Sequence, residues 1–142
     1  STVYSSDAPR TLIEKTICGL DLRGTSNFEK VILDPQRGPE LLGVVHRTIK
    51  LSGLKVDRLY MHSFITLDTV FPFHIRRVSQ LVRMPSLFQN ILDMIQFASG
   101  LHVPAIAGDD FLPKAEIHFD YGVSDCVSME ATVMVHQVAA LL

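Results

Sequence analysis

The stretch "AEIHFDYG", residues 115–122, carries three side chains of metal-binding type at alternating positions. In a β-strand, Glu116, His118 and Asp120 would point to one face of the sheet, because successive side chains alternate between the faces. Two histidines and one carboxylate on one face could hold a non-haem iron. The candidates for the second histidine are His62, His74 and His136. Solvated sheet faces contain similar triplets by chance, so we predict no metal at this place.

Patterns of other reaction types are weak or missing from the sequence. It contains no G-x-S-x-G nucleophile elbow and no glycine-rich phosphate loop. Asp109 and Asp110 are adjacent in "AGDDF", where paired carboxylates could bind Mg²⁺ or transfer protons, but such pairs are more often loop and helix-cap residues. Cys18 and Cys126 lack the spacing of a zinc site, and we expect buried free thiols. The protein is therefore predicted to be no enzyme and to use no cofactor.

Hydrophobic periodicity divides the chain into elements that would position these residues. Residues 1–10 are polar without a period, which predicts a flexible arm, and residues 11–142 are predicted to form one domain. Strands are predicted over 11–24, 28–33, 56–71, 114–122 and 126–138. Helices are predicted over 39–53 and 85–99, a loop over 101–113, and a strand or helical turn over 72–83. The fold class is predicted to be α+β, a mostly antiparallel sheet of about five strands with two helices packed on one face.

The last two predicted strands form a closing hairpin. If the residue numbers of each cross-strand pair add up to an even total, Phe119 pairs with Val127 or Met129, and the apolar side chains then share one face. In either register, Ser128, Glu130 and Thr132 of the final strand lie on the same face as Glu116, His118 and Asp120.

Charge is unevenly distributed along the chain. Residues 1–83 carry 12 Lys and Arg against 8 Asp and Glu, whereas residues 84–142 carry one Lys against 7 Asp and Glu. Halves of opposite sign could meet within one fold or between copies of it. A basic face could also contact an anionic membrane surface, nucleoprotein or nucleic acid, with a merely solvated face as the alternative. The residues of this predicted face are Arg47, Lys50, Lys55, Arg58, Arg76, Arg77 and Arg83.

The chain is also apolar for its size, with a mean hydropathy of +0.25. It contains no run of about 20 apolar residues, so we expect no transmembrane insertion. We expect instead apolar surface for a partner, in the first place another copy of the chain. The residues predicted for self-association are Phe71, Phe73, Leu87, Phe88, Ile91, Met94 and Ile95. They favour a non-enzymatic, self-associating structural or interaction domain.

The stretch "RGPELLGVVHRTIKLSG" followed by "LYMHSFITL" resembles the core of small matrix proteins of negative-strand RNA viruses, rhabdoviruses especially. In that family a short loop leads into an apolar helix that ends near Leu-Ser-Gly, and a long strand follows. The resemblance implies a viral assembly protein that self-associates beneath a membrane and contacts a nucleocapsid, with no catalytic residues. We therefore expect a reducing, intracellular location, cytoplasmic or virion-internal. Because the sequence begins with Ser, we also expect a trimmed form whose N-terminal tail could be missing.

The alternative hypothesis is a small-molecule-binding domain or small enzyme with a pocket between sheet and helices. Its polar anchors would be His46, His62, His118, Asp109 or Asp110. Convergence of two or more histidines in one concave, partly buried site would favour this alternative. Histidines dispersed over a sheet face would favour the interaction domain.

Overall fold

The structure, a computed structural model, describes residues 2–3, 22–50, 58–85, 95–124 and 126–142. The strands of this part are β1 (Thr2–Val3), β2 (Leu22–Thr25), β3 (Glu29–Val31), β4 (Glu40–Lys50), β5 (Arg58–Leu67), β6 (Ile75–Val78), β7 (Gln96–His102), β8 (Glu116–Val123) and β9 (Val127–Met134). Two short helices, α1 (Ala105–Asp109) and α2 (Val135–Leu141), complete the described elements. The strand pairings in these residues are antiparallel, which confirms an α+β fold dominated by antiparallel sheet.

The strands form two sheets rather than the one predicted. The large sheet has the order β1-β6-β5-β4-β2, with β3 also paired to β4, and the small sheet has the order β7-β8-β9. The two sheets pack against each other: Leu42, Val44 and Phe64 of the large sheet share a buried cluster with Ile117 and Phe119 of the small one. Burial of these side chains supplies the main driving force for the fold.

The helix predicted over 39–53 is wrong, because this segment contains β4. The strand is central in the large sheet and apolar on both faces: Leu42 and Val44 face the small sheet, whereas Val45 joins Ile65 in a second buried cluster. A strand buried on both sides presents an almost continuous apolar run, which resembles the stripe of a helix. The paired strands also explain Gly43, whose missing side chain admits an aromatic ring.

Phe28 is the ring that packs against this glycine. A Cβ atom at Gly43 would lie 2.6 Å from Phe28 Cε1, closer than two carbon atoms can approach. The position therefore requires glycine for space, although glycine weakens a strand interior.

The helix predicted over 85–99 is wrong at its C-terminal end. Residues 86–94 lie outside the described residues, but β7 occupies 96–102 and pairs with β8. In β7 the side chains alternate between buried and exposed, with Gln96, Ala98 and Leu101 inside and a register shift between Ala98 and Gly100. The irregular strand breaks the period of two that would have identified it.

Helices occur instead at places that were predicted as loop and strand. α1 lies within the predicted loop and buries Ala107. α2 replaces the end of the last predicted strand, since Val135 and Val138 are buried at helical spacing against the core. None of the described helices is long and apolar enough to cross a membrane.

The strand predicted over 56–71 is confirmed for Arg58–Leu67, which form β5, whereas residues 68–71 lie in the connection that follows it. The closing hairpin is confirmed by β8 and β9. The residue numbers of each cross-strand pair add up to an even total, as predicted, but Phe119 faces Ala131 instead of Val127 or Met129. The polar face is as expected: His118 lies opposite Thr132 and Asp120 opposite Glu130. Of the predicted arm, Thr2–Val3 form β1 beside β6, and the other residues of the arm lie outside the described part.

Candidate functional site

The connection between β5 and β6 carries three adjacent apolar side chains into solvent. Val70 is 69% exposed, Phe71 84% and Phe73 45%. The two phenylalanine rings meet edge to face, with centroids 6.1 Å apart. Other exposed large apolar side chains of the described residues, such as Ile106, have no such neighbours in sequence. We call Val70, Phe71 and Phe73 the apolar tip.

The backbone below the apolar tip is held by two hydrogen bonds. Asp68 N–H donates to His74 O and Phe73 N–H donates to Val70 O, both at 2.9 Å, and the Phe71–Pro72 peptide bond is cis. Phe73 has a φ of 56°, in the left-handed region that favours glycine. A glycine would satisfy this backbone at a lower conformational cost. The position therefore supplies an exposed phenyl ring at the expense of backbone energy.

The charges at the base of the apolar tip are paired with each other. The buried carboxylate of Glu40 accepts hydrogen bonds from Thr66 Oγ1 at 3.0 Å and from Arg77 Nε at 3.2 Å, and Arg77 Nη2 binds its second oxygen. Arg76 Nε lies 3.4 Å from Asp68 Oδ1 and 3.8 Å from Glu40 Oε1. The surroundings of the apolar tip are thus close to electrically neutral.

The structure does not bring the predicted basic residues onto one surface. Arg77 is buried against Glu40, opposite Thr66 in β5, whereas Arg58 lies opposite Lys50 at the other end of that strand. Eight residues separate the two positions along β5, roughly 26 Å at about 3.3 Å per residue. Arg47 is half-buried and pairs with Met61 nearer Arg58. Arg83 is exposed and follows a residue bridged to the middle of β5, and Lys55 lies outside the described residues.

The predicted self-association residues are also divided. Phe71 and Phe73 belong to the apolar tip, and Ile95 is half-buried just before β7. The predicted contacts at Leu87, Phe88, Ile91 and Met94 lie outside the described residues.

Glu116, His118 and Asp120 lie on the solvent side of the small sheet. His118 Nδ1 is 2.8 Å from Glu130 Oε1, and His118 Nε2 is 3.6 Å from Glu116 Oε2. The described residues contain no group of three or more His, Cys, Asp and Glu side chains that could hold a metal. His136 lies on α2 with Nδ1 2.7 Å from Pro113 O, and His62 is buried elsewhere. The polar side chains of this small cluster thus find partners on their own face of the sheet.

Asp109 and Asp110 have local partners, whereas Cys126 is exposed to solvent. Lys30 Nζ lies 2.6 Å from Asp109 Oδ1, and Phe111 N–H donates to Asp110 Oδ1 at 2.8 Å. The expectation of a buried thiol is wrong for Cys126, because it lies in the exposed turn between β8 and β9. Cys18 lies outside the described residues.

Two histidines converge between the sheets. His46 of β4 and His62 of β5 are cross-strand partners, their ring centroids are 6.5 Å apart, and both are buried. Neither ring nitrogen of His62 has a hydrogen-bond partner, and the same holds for Gln96 Oε1. The sequence pattern of β5 does not show that the small sheet covers the face of this strand that carries His62.

Burial keeps both imidazoles neutral at pH 7. It lowers the pKa of His62 to about 4, with smaller contributions from His46 and Arg83, while the Gln96 backbone, which interacts with the ring without good hydrogen-bond geometry, acts in the opposite direction. Burial is also the main cause that lowers the pKa of His46, followed by the charge of Arg23. Neither ring can therefore serve as a proton donor near neutral pH.

The two rings are enclosed by close packing. The His46 ring lies 5.4 Å from Tyr60 and 5.1 Å from Phe97, centroid to centroid. Gly24 covers it from β2 with a φ of 54°, and a Cβ there would lie 2.5 Å from His46 Cε1. The convergence of histidines therefore occurs in packed interior rather than in an open cleft.

The apolar tip and the His46–His62 pair are thus two places where the described residues depart from ordinary core and surface. Each carries an energetic cost: exposed aromatic surface in the first, unpartnered buried nitrogens in the second. No protein-family model, curated protein or solved structure matches the chain.

Proposed function

We propose that the chain is a non-enzymatic interaction domain that associates with further copies of itself through the apolar tip. The observation that carries this proposal is the 84% exposure of Phe71 between two other exposed apolar side chains. Aromatic side chains are enriched at protein interfaces because they bury a large apolar area at a low entropic cost.

The contact we propose is apolar rather than ionic. Arg76 and Arg77 are engaged by Asp68 and Glu40, so they add little net charge beside the apolar tip. Burial of an exposed phenylalanine in a partner contributes about 1.5–3 kcal/mol. Three such side chains fall well short of the roughly 800 Å² per partner that a stable dimer buries. Each contact is therefore weak, and association should depend on protein concentration.

The uneven charge of the chain favours a second copy as the partner. The first 83 residues have an excess of 4 positive charges and the remainder an excess of 6 negative charges. In the described part, exposed carboxylates of the negative half lie on the small sheet, at Glu116, Asp120 and Glu130. The positively charged half of one copy attracts the negatively charged half of another, and this attraction acts over a longer distance than an apolar contact does. The resemblance implies a matrix-type role, with assembly against a membrane surface or a nucleocapsid, but the apolar helix on which the resemblance was based is the strand β4 in this structure.

The test is the mass of the protein in solution over a range of concentrations. We expect Phe71→Ser to shift the concentration for half-association upward by roughly tenfold or more, because a tenfold change corresponds to about 1.4 kcal/mol. Light scattering after size exclusion gives this value for the unaltered chain and the variant. Ile106→Ser is the matched control, since Ile106 is 63% exposed but lies on α1.

Three results would contradict the proposal. The unaltered chain could remain a monomer at every concentration, or the Phe71 variant could associate as before. Equal weakening by Phe71→Ser and Ile106→Ser would indicate unspecific apolar aggregation. Sedimentation with anionic vesicles, run in parallel, would assign the apolar tip to a lipid surface if only vesicle binding responds to Phe71→Ser.

A small-molecule-binding function is a second candidate, supported by the unpartnered polar atoms of His62 and Gln96. A ligand with matching hydrogen-bond groups could satisfy them if the packing around His46 opened. Thermal melting of the unaltered chain in a ligand and metal screen tests this candidate, because binding to the folded state alone raises the melting temperature. A rise that is lost in His62→Gln would support it, and a screen without any rise would count against it.

A further inference from the structure

The His46–His62 pair occupies the junction between the two sheets. Both side chains project from the face of the large sheet that the small sheet covers, and Phe97 of β7 packs against His46. Gln96, the first residue of β7, is fully buried and donates from its side-chain amide to Met84 O at 3.2 Å. This group of rings and amides is therefore one of the contacts between β7 and the strands β4 and β5, beside the buried Ala98 and Leu101 of β7.

The charged groups that act on the two rings are positive. Arg23 faces His46 from β2, and Arg83 acts on His62 from the segment after β6. The rings of Tyr60 in β5 and Phe97 in β7 face His46. Within the described residues, no carboxylate contributes to either ring's pKa. A proton on His46 is thus opposed by the charge of Arg23, and a proton on His62 by the charges of His46 and Arg83.

We propose that the His46–His62 pair is an acid-responsive latch whose protonation releases β7, and with it the small sheet, from β4 and β5. The neutral rings pack closely between the sheets. Two imidazolium rings 6.5 Å apart, centroid to centroid, would repel each other and the nearby guanidinium groups in a site with little water. When the sheets separate, water hydrates the protonated rings, and the open form therefore keeps both protons bound. The proposal does not depend on the apolar tip.

The direction of the pH dependence follows from the two states. When the junction opens, His62 becomes hydrated and its pKa returns toward 6.5, whereas in the closed form it is about 4. The open form therefore binds more protons between these values, and acidification favours opening. For His62 the open-to-closed ratio rises by up to tenfold per pH unit, about 300-fold across the whole interval. His46 shifts the ratio in the same direction.

Hydrogen exchange measures how often the junction between the sheets opens in the unaltered chain, over a range from about pH 7.5 to about pH 4. After correction for the intrinsic effect of pH on exchange, we expect amide protection in β7 to fall steeply below about pH 6.5 and to recover on neutralisation. His62→Gln and His46→Gln should flatten this dependence, since glutamine keeps a polar side chain without a titrating nitrogen. His118→Gln removes a histidine from the outer face of the small sheet and should leave the profile unchanged.

A proton NMR titration of the unaltered chain covers the case in which a variant does not fold. The ring signals of His46 and His62 should both titrate below 6.5, His62 well below it, and should change together with the amide signals of β7. Ring signals of His46 and His62 that titrate near 6.5 would overturn the latch. So would acid-dependent exchange in β7 that persists unchanged in both glutamine variants.

Discussion

Replacing Arg77 with alanine is expected to lower the free energy of unfolding by about 3–5 kcal/mol, because the change leaves a buried carboxylate without its main partner. Glu40 is fully buried and receives two hydrogen bonds from Arg77 and one from Thr66. Arg76, at 3.8 Å from the same carboxylate, replaces only part of the lost interaction. Urea denaturation followed by circular dichroism measures the loss.

Two further variants separate the burial of charge from the loss of a side chain. Glu40→Leu combined with Arg77→Leu removes both charges and should recover most of the loss, since buried ion pairs contribute little over apolar residues of similar size. Arg37→Ala breaks a half-exposed pair with Asp34 and should cost less than about 1 kcal/mol. An Arg77→Ala chain as stable as Arg37→Ala would show that Glu40 is hydrated or neutral. Charge reversal at Arg77 consequently reports on folding and cannot test an anionic-partner surface.

Ile117→Ala is expected to destabilise the fold by about 2–5 kcal/mol, because it opens a cavity where the two sheets meet. Ile117 lies in the middle strand of the small sheet, is fully buried and belongs to the cluster that contains Phe64 of the large sheet. Thermal or urea unfolding gives the value. Val127→Ala, at an exposed position of the same hairpin, should stay within about 0.5 kcal/mol of the unaltered chain. A loss below about 1 kcal/mol for Ile117→Ala would mean that the sheets are not tightly packed at this point.

Local pattern was sufficient where polar and apolar residue types alternate along the sequence. β8 alternates between buried and more exposed positions and β9 follows it in the hairpin, so a period of two identifies them. β5 also alternates partly in residue type, although residues 62–66 are all buried because both faces of this strand are covered. The sequence also indicated Phe71 and Phe73 as contact residues, since they flank Pro72, but the strand pattern extended to Phe71, which lies beyond the end of β5. The α+β class and the antiparallel pairing depend mostly on these segments.

Contacts between distant segments decided the rest. β4 is covered on both faces, so its sequence does not show which face each residue occupies until Phe28, Phe64 and Phe119 are in place. With 39–53 read as a helix, the pairing of β4 with β5 could not be predicted. The same error concealed the buried Glu40–Arg77 pair and the opposition of His46 and His62, because both require β4 to lie beside β5.

The internal pairing of the arginines below the apolar tip has a consequence for the temperature dependence of association. A contact without free charge is driven by the release of water from apolar surface, and this driving force weakens on cooling. Assemblies held by Phe71 and its neighbours should therefore dissociate in the cold and re-form on warming, which light scattering during a slow temperature cycle would detect. Assemblies held by ion pairs would change far less over the same cycle, because their attraction does not depend on apolar hydration.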